Sequence, residues 1–165
     1  MFLTKLEGPA LEAYRLAVNK AFERAMQELK LSKDQLIVRM LRPEDVDLST
    51  PEWTFNLASA DTWNTNMVNS TIVDGRYVVI AGIMVGESGA QASTQLRITS
   101  AGQKVRYWQP QNINYTQDNM MWFTDPIITG QNENLVIDIY ATVTDSDHQL
   151  QLLGCVVERK GLLVQ

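Results

Sequence analysis

The chain has one cysteine, Cys155, and one histidine, His148, in 165 residues. A single cysteine excludes an internal disulfide, and the start, MFLTKLEGPALEAY, lacks the continuous apolar core of a signal peptide, so folding in a reducing cytoplasm is expected. Long apolar runs are missing too. The longest, such as YVVIAGIMV, extend about nine residues, about half of what a membrane-spanning helix requires, which predicts a soluble chain. Positive charge is scarce after the beginning: residues 1–42 hold eight Lys/Arg against five Asp/Glu, and residues 43–165 hold six against fourteen. The net charge of −5 is therefore a basic start joined to an acidic remainder. An acidic main body lacks the clustered Lys and Arg that neutralise phosphates, so nucleic acid is not an expected partner.

Chemical motifs are equally thin. Neither G-x-x-x-x-G-K-[ST] nor G-x-G-x-x-G occurs, which leaves nucleotide cradles unsupported. VGESGA approaches a serine nucleophile elbow, but Ala90 stands where glycine is required and His148 is the sole candidate base, so a hairpin loop is expected. The stretch ATVTDSDHQLQLLGCVV (141–157) gathers Asp145, Asp147, His148 and Cys155. Three of these would suit zinc, but no second histidine exists, and Cys155 falls on the opposite strand face from Leu150 and Leu152 unless Gly154 marks a bulge. As a calcium loop it fails at Leu150 and Val156, where glycine and glutamate belong. The expectation is a polar turn, DSDH, between two strands, with no catalytic residue, metal or cofactor. The sequons NST (69–71) and NYT (114–116) lack a secretory signal and read as coincidence.

What is present is pattern. Residues 9–31 carry Leu11, Tyr14, Val18, Phe22, Ala25 and Leu29 three or four apart among charged residues, which predicts an amphipathic helix with Pro9 at its start. Ser32 and Gln35 suit a short capped turn, although QLIVRML equally reads as a strand. RPEDVDLSTPEW reads as an extended connector, and the domain boundary is drawn there: an arm and connector over 1–48 and a β-domain over 49–165. From Trp53 onward β-formers dominate, broken at intervals by Gly, Asn, Asp or Ser.

Strands are predicted around 53–58, 66–73, 76–86, 94–99, 104–108, 120–123, 135–143 and 149–158, the third apolar on both faces and therefore central. About eight strands in roughly 110 residues predict an all-β, antiparallel two-sheet sandwich of jelly-roll or immunoglobulin-like topology. Ten Asn and twelve Gln offer neutral donors and acceptors suited to loops and wet contacts. The stripe Leu11, Tyr14, Val18, Phe22 and Leu29 is the candidate interface, packing on its own β-domain or a neighbour's. Trp53, Trp63, Trp108 and Trp122 are a weaker candidate for a sugar platform.

The order of these elements, a basic amphipathic helix, LRPEDVDLSTPEWTFNL, TWNT, RYVVIAGIMV, FTDPIITGQNENLVIDIYATVT and HQLQLLGCVVERKG, resembles the single-jelly-roll capsid proteins of tailless icosahedral viruses with an internal membrane, most of all those of Thermus phages. That resemblance implies a single jelly roll of eight strands, a homodimer as building block, a second, larger capsid protein beside it, a lipid layer beneath, and no catalysis. An arm, or an edge strand near it, reaching across to a neighbour is then expected, with the basic arm in peripheral contact with anionic lipid of the internal viral membrane, worth at most roughly 1 kcal/mol per Lys or Arg. The competing readings are a carbohydrate-binding module and a small cupin-like metal enzyme, for which one histidine is a poor start.

Overall fold

The computed structural model describes residues 6–86, 92–101, 106–108 and 119–162. It contains one long helix, α1 (Gly8–Leu29), followed by β1 (Leu36–Met40), β2 (Thr54–Leu57), β3 (Thr62–Thr71), β4 (Arg76–Val85), β5 (Ser93–Ser100), β6 (Arg106–Trp108), β7 (Met120–Thr129), β8 (Asn134–Ala141) and β9 (Asp145–Arg159). Helix α1 begins with Pro9 in its first turn and ends at Lys30 in the left-handed conformation, φ 55°. Ser32 and Gln35 then form the expected capped turn, Gln35 Oε1 accepting the Ser32 N–H at 3.0 Å, and the chain enters β1 directly.

Two antiparallel sheets face each other. One runs β1-β9-β4-β7 with β2 also on β9, and the other runs β3-β8-β5-β6. β1 pairs with the far half of β9, Leu36 opposite Arg159 through Met40 opposite Cys155, and β2 with its near half, Thr54 opposite Gln149 and Phe55 opposite His148. They are two halves of one strand position, interrupted by a short helical turn at Pro43–Val46. Counted so, the sheets are the two halves of a jelly roll, which resolves the topology that periodicity left open.

Alternation along the strands fills the space between the sheets with Leu57, Val68, Ile80, Ile83, Leu96, Ile137, Leu150 and Leu152. β4 is buried on both faces because α1 covers the outer one. The centre of that second core is Ala17, Ala21 and Ala25, one turn apart, over Tyr77, Val79, Cys155 and Val157. Tyr14, Val18, Phe22 and Leu29 flank this row half-buried. The helix therefore packs on its own sheet: small side chains let its backbone approach closely, and larger neighbours seal the sides. Its seating is fixed by charge as well, Arg24 Nη2 meeting Glu133 Oε1 at 2.7 Å and Tyr77 donating its hydroxyl to Glu28 Oε2 at 2.7 Å.

Three expectations need correction. The boundary at residue 48 does not part arm from sandwich, because β1 lies before it and belongs to the sheet. The turn between β8 and β9 is 142–144, where Val143 is exposed, and DSDH is the start of β9. Asp and Ser favour turns locally, but pairing with β2 holds Asp145–His148 extended, and tertiary pairing wins. Finally, the strands expected at 66–73 and 120–123 are longer, spanning Thr62–Thr71 and Met120–Thr129.

Candidate functional site

The rare residues of 141–157 do not converge. His148 points into the sandwich, 1% exposed, with Nδ1 3.3 Å from Asp145 Oδ2, and its Nε2 has no partner among the described residues. Burial pushes its pKa below the ordinary histidine value, with Asp145 opposing, so the ring is neutral at pH 7. Asp147 is exposed. Cys155 projects from the other face and is buried under α1, where burial raises its pKa and a hydrogen bond with the Tyr14 hydroxyl partly offsets this. Among the described residues no three His, Cys, Asp or Glu side chains gather as a metal would require.

The connector holds the charge cluster that the sequence reading missed. Asp45 accepts from Arg39 Nη1 at 2.7 Å and from the Arg42 N–H at 2.8 Å, while Glu158 accepts from Arg39 Nε at 2.8 Å and from Arg76 Nε at 2.9 Å. The Asp45 and Glu158 carboxylates are 1% and 0% exposed, so these two arginines and two acids close one end of the core. The available signal was Arg76 and Glu158 at the ends of otherwise apolar strands, where a buried charge needs a partner.

Two outward surfaces stand out among the described residues. The first is the β1 edge: Val38 is 45% and Met40 71% exposed, on the same face as buried Leu36. Met40 lies opposite Cys155, whose partner Tyr14 lines a hollow of about 440 Å³ with Leu6, Leu11, Arg15, Val18 and Asn19. Of the candidate stripe, Leu11, Tyr14 and Val18 share the wall of this hollow, and Tyr14, Val18, Phe22 and Leu29 pack against the second core.

The second surface is the outer face of β3, β8, β5 and β6. Trp63 meets Tyr140 and Tyr107 edge-on, at 5.6 and 6.2 Å between ring centroids, and the Arg97 guanidinium lies 4.4 Å over it. Asp138 neutralises Arg97 at 2.6 Å and accepts the Asn66 N–H at 2.8 Å. The four tryptophans do not assemble: Trp53 packs on the core, Trp122 lies 6.0 Å from Tyr14, and the Trp108 side chain is outside the described residues. Asn69 of the first sequon is exposed on β3, whereas Ser70 is buried and donates to Asp47. The second sequon and most of GESGAQAS also lie outside the described residues.

No helix among the described residues is long and apolar enough to cross a membrane. No protein-family model, curated protein or solved structure matches the chain.

Proposed function

We propose that this chain is a structural capsid subunit that associates with itself and with a second, larger capsid protein to form an icosahedral shell around an internal membrane. The observation that carries this reading is the jelly roll whose first strand ends a sheet with Val38 and Met40 bare. An edge strand with exposed apolar side chains is a ready template for a neighbouring chain. The element order of the sequence supports the same reading, and fold alone would not carry it. The exposed basic residues Arg15, Lys20, Lys30 and Lys33 around the helix suit anionic lipid beneath such a shell.

Light scattering across a concentration series, with electron microscopy of the same samples, tests the proposal: oligomers of defined size are expected, and a monomer at every concentration overturns it. The Trp63, Tyr107 and Tyr140 cluster favours a second reading, a carbohydrate-binding module, since aromatic rings beside a neutralised ion pair suit uncharged sugars. Glycan-array binding abolished by Tyr107→Ala would replace the first reading with the second.

A further inference from the structure

We propose that the free edge of β1 is where two copies of this chain meet, pairing antiparallel about a two-fold axis at Val38. The proposal deepens the capsid reading above and rests on self-association. Its ground is the accounting of backbone groups along the edge. Leu41 donates its N–H to Gly154 at 3.2 Å, and Gln35 accepts the Lys160 N–H at 2.9 Å, so the odd-numbered residues face β9. By alternation Leu36, Val38 and Met40 turn their N–H and C=O outward. Two of those groups are already satisfied, the Leu36 N–H by the Lys33 carbonyl and the Met40 carbonyl by Arg39 Nη1 at 3.3 Å. The Leu36 carbonyl, both Val38 groups and the Met40 N–H have no partner among the described residues.

One register of a second β1 serves every free group. With Val38 opposite Val38 of the second copy, the two valines exchange N–H and C=O, and each Met40 N–H reaches the Leu36 carbonyl opposite. The two groups already satisfied then face each other and need nothing. Side chains agree with the backbone: Val38 and Met40 of both copies form one apolar strip, and Arg39 stands opposite Ile37, so no like charges meet. An inward charge often guards an edge, but Arg39 is held by Asp45 and Glu158 and leaves the edge open. Such a contact is isologous, the same patch on both partners.

Cysteine scanning of the full chain tests this. In the proposed register the Cα atoms of two Val38 residues lie about 5.5 Å apart, within disulfide reach. Val38→Cys should therefore give a dimer under mild oxidation that reductant reverses. Met40→Cys should not, because two Met40 residues lie about 13 Å apart along the paired strands. Wild type is the control for Cys155, which is buried. Val38→Lys, at an exposed position and with unchanged circular dichroism, should weaken the dimer about tenfold or more. A dimer that persists in Val38→Lys, with no cross-link in Val38→Cys, overturns the edge pairing and leaves the capsid reading standing. Cross-linking of Met40→Cys but not Val38→Cys overturns the register and with it the proposal. A wild-type monomer at all concentrations overturns both.

Discussion

Glu158 shows what a single buried charge demands. It accepts from both Arg39 and Arg76, with its carboxylate fully buried, so Glu158→Gln leaves two guanidinium groups dependent on Asp45, which lies 3.4 Å from Arg76 Nη1. Removing one member of a buried network costs about 3–5 kcal/mol, whereas the exposed Arg42–Glu44 pair at 3.9 Å contributes at most about 1 kcal/mol. Urea unfolding should therefore separate Glu158→Gln from Arg42→Ala by several kcal/mol; equal midpoints would mean that the cluster is not holding the end of the sandwich. His148 sets a pH dependence of definite sign. Unfolded, it titrates near 6.5; folded, burial lowers its pKa, so below about pH 6.5 the unfolded chain takes up the proton first. Its contribution is complete above that value and is lost as pH falls toward the folded pKa. Melting temperatures from about pH 8 to about pH 5 should decline, and His148→Phe should flatten that decline. A decline of the same slope in both proteins would place its origin elsewhere.

At the scale of elements, the row Ala17, Ala21 and Ala25 sets how closely α1 lies on the sheet. Ala21 is fully buried, so Ala21→Leu must lift the helix or crowd Tyr77 and Val79, at about 1–3 kcal/mol. Leu16→Ala, half exposed on the same helix, should change stability by about 0.5 kcal/mol or less in the same unfolding measurement. If the two substitutions cost the same, α1 is not seated on its alanines. The helix itself was legible because its apolar residues recur at helical spacing, but the sequence reading centred the stripe on its largest members. The alanines carry little hydrophobic weight and become the contact because only small side chains allow close approach. β4 was legible as central from its unbroken apolar run, and the helix supplies the cover for its second face. The start of β9 was not legible, since local turn preference at DSDH competes with pairing to β2, distant in the chain. The charge cluster was invisible for the same reason: Asp45 and Glu158 meet only after β1 has paired with β9.

For the whole molecule, charge and apolar contact act in opposite directions. Each copy carries a net −5, concentrated in residues 43–165 where fourteen acids face six bases, so two copies repel as they approach. The β1 edge answers with Val38 and Met40, and the only charge on that strand is neutralised within its own subunit. Modest contacts of this kind suffice for a shell, because repetition and closure multiply them, and contacts that are individually weak can be corrected during assembly. The balance gives salt a predictable effect. Between about 0.01 and 0.15 M the screening length falls from roughly 30 to 8 Å, which removes most of the repulsion between subunits and leaves the apolar strip untouched. The dimer should therefore tighten with added salt, measured as a falling dissociation constant in sedimentation equilibrium. If the basic arm gripped the acidic body of a neighbour instead, the attraction of residues 1–42, with eight bases against five acids, would be screened and the dimer would loosen. The sign of the salt dependence thus distinguishes an edge-to-edge contact from an arm-to-body one.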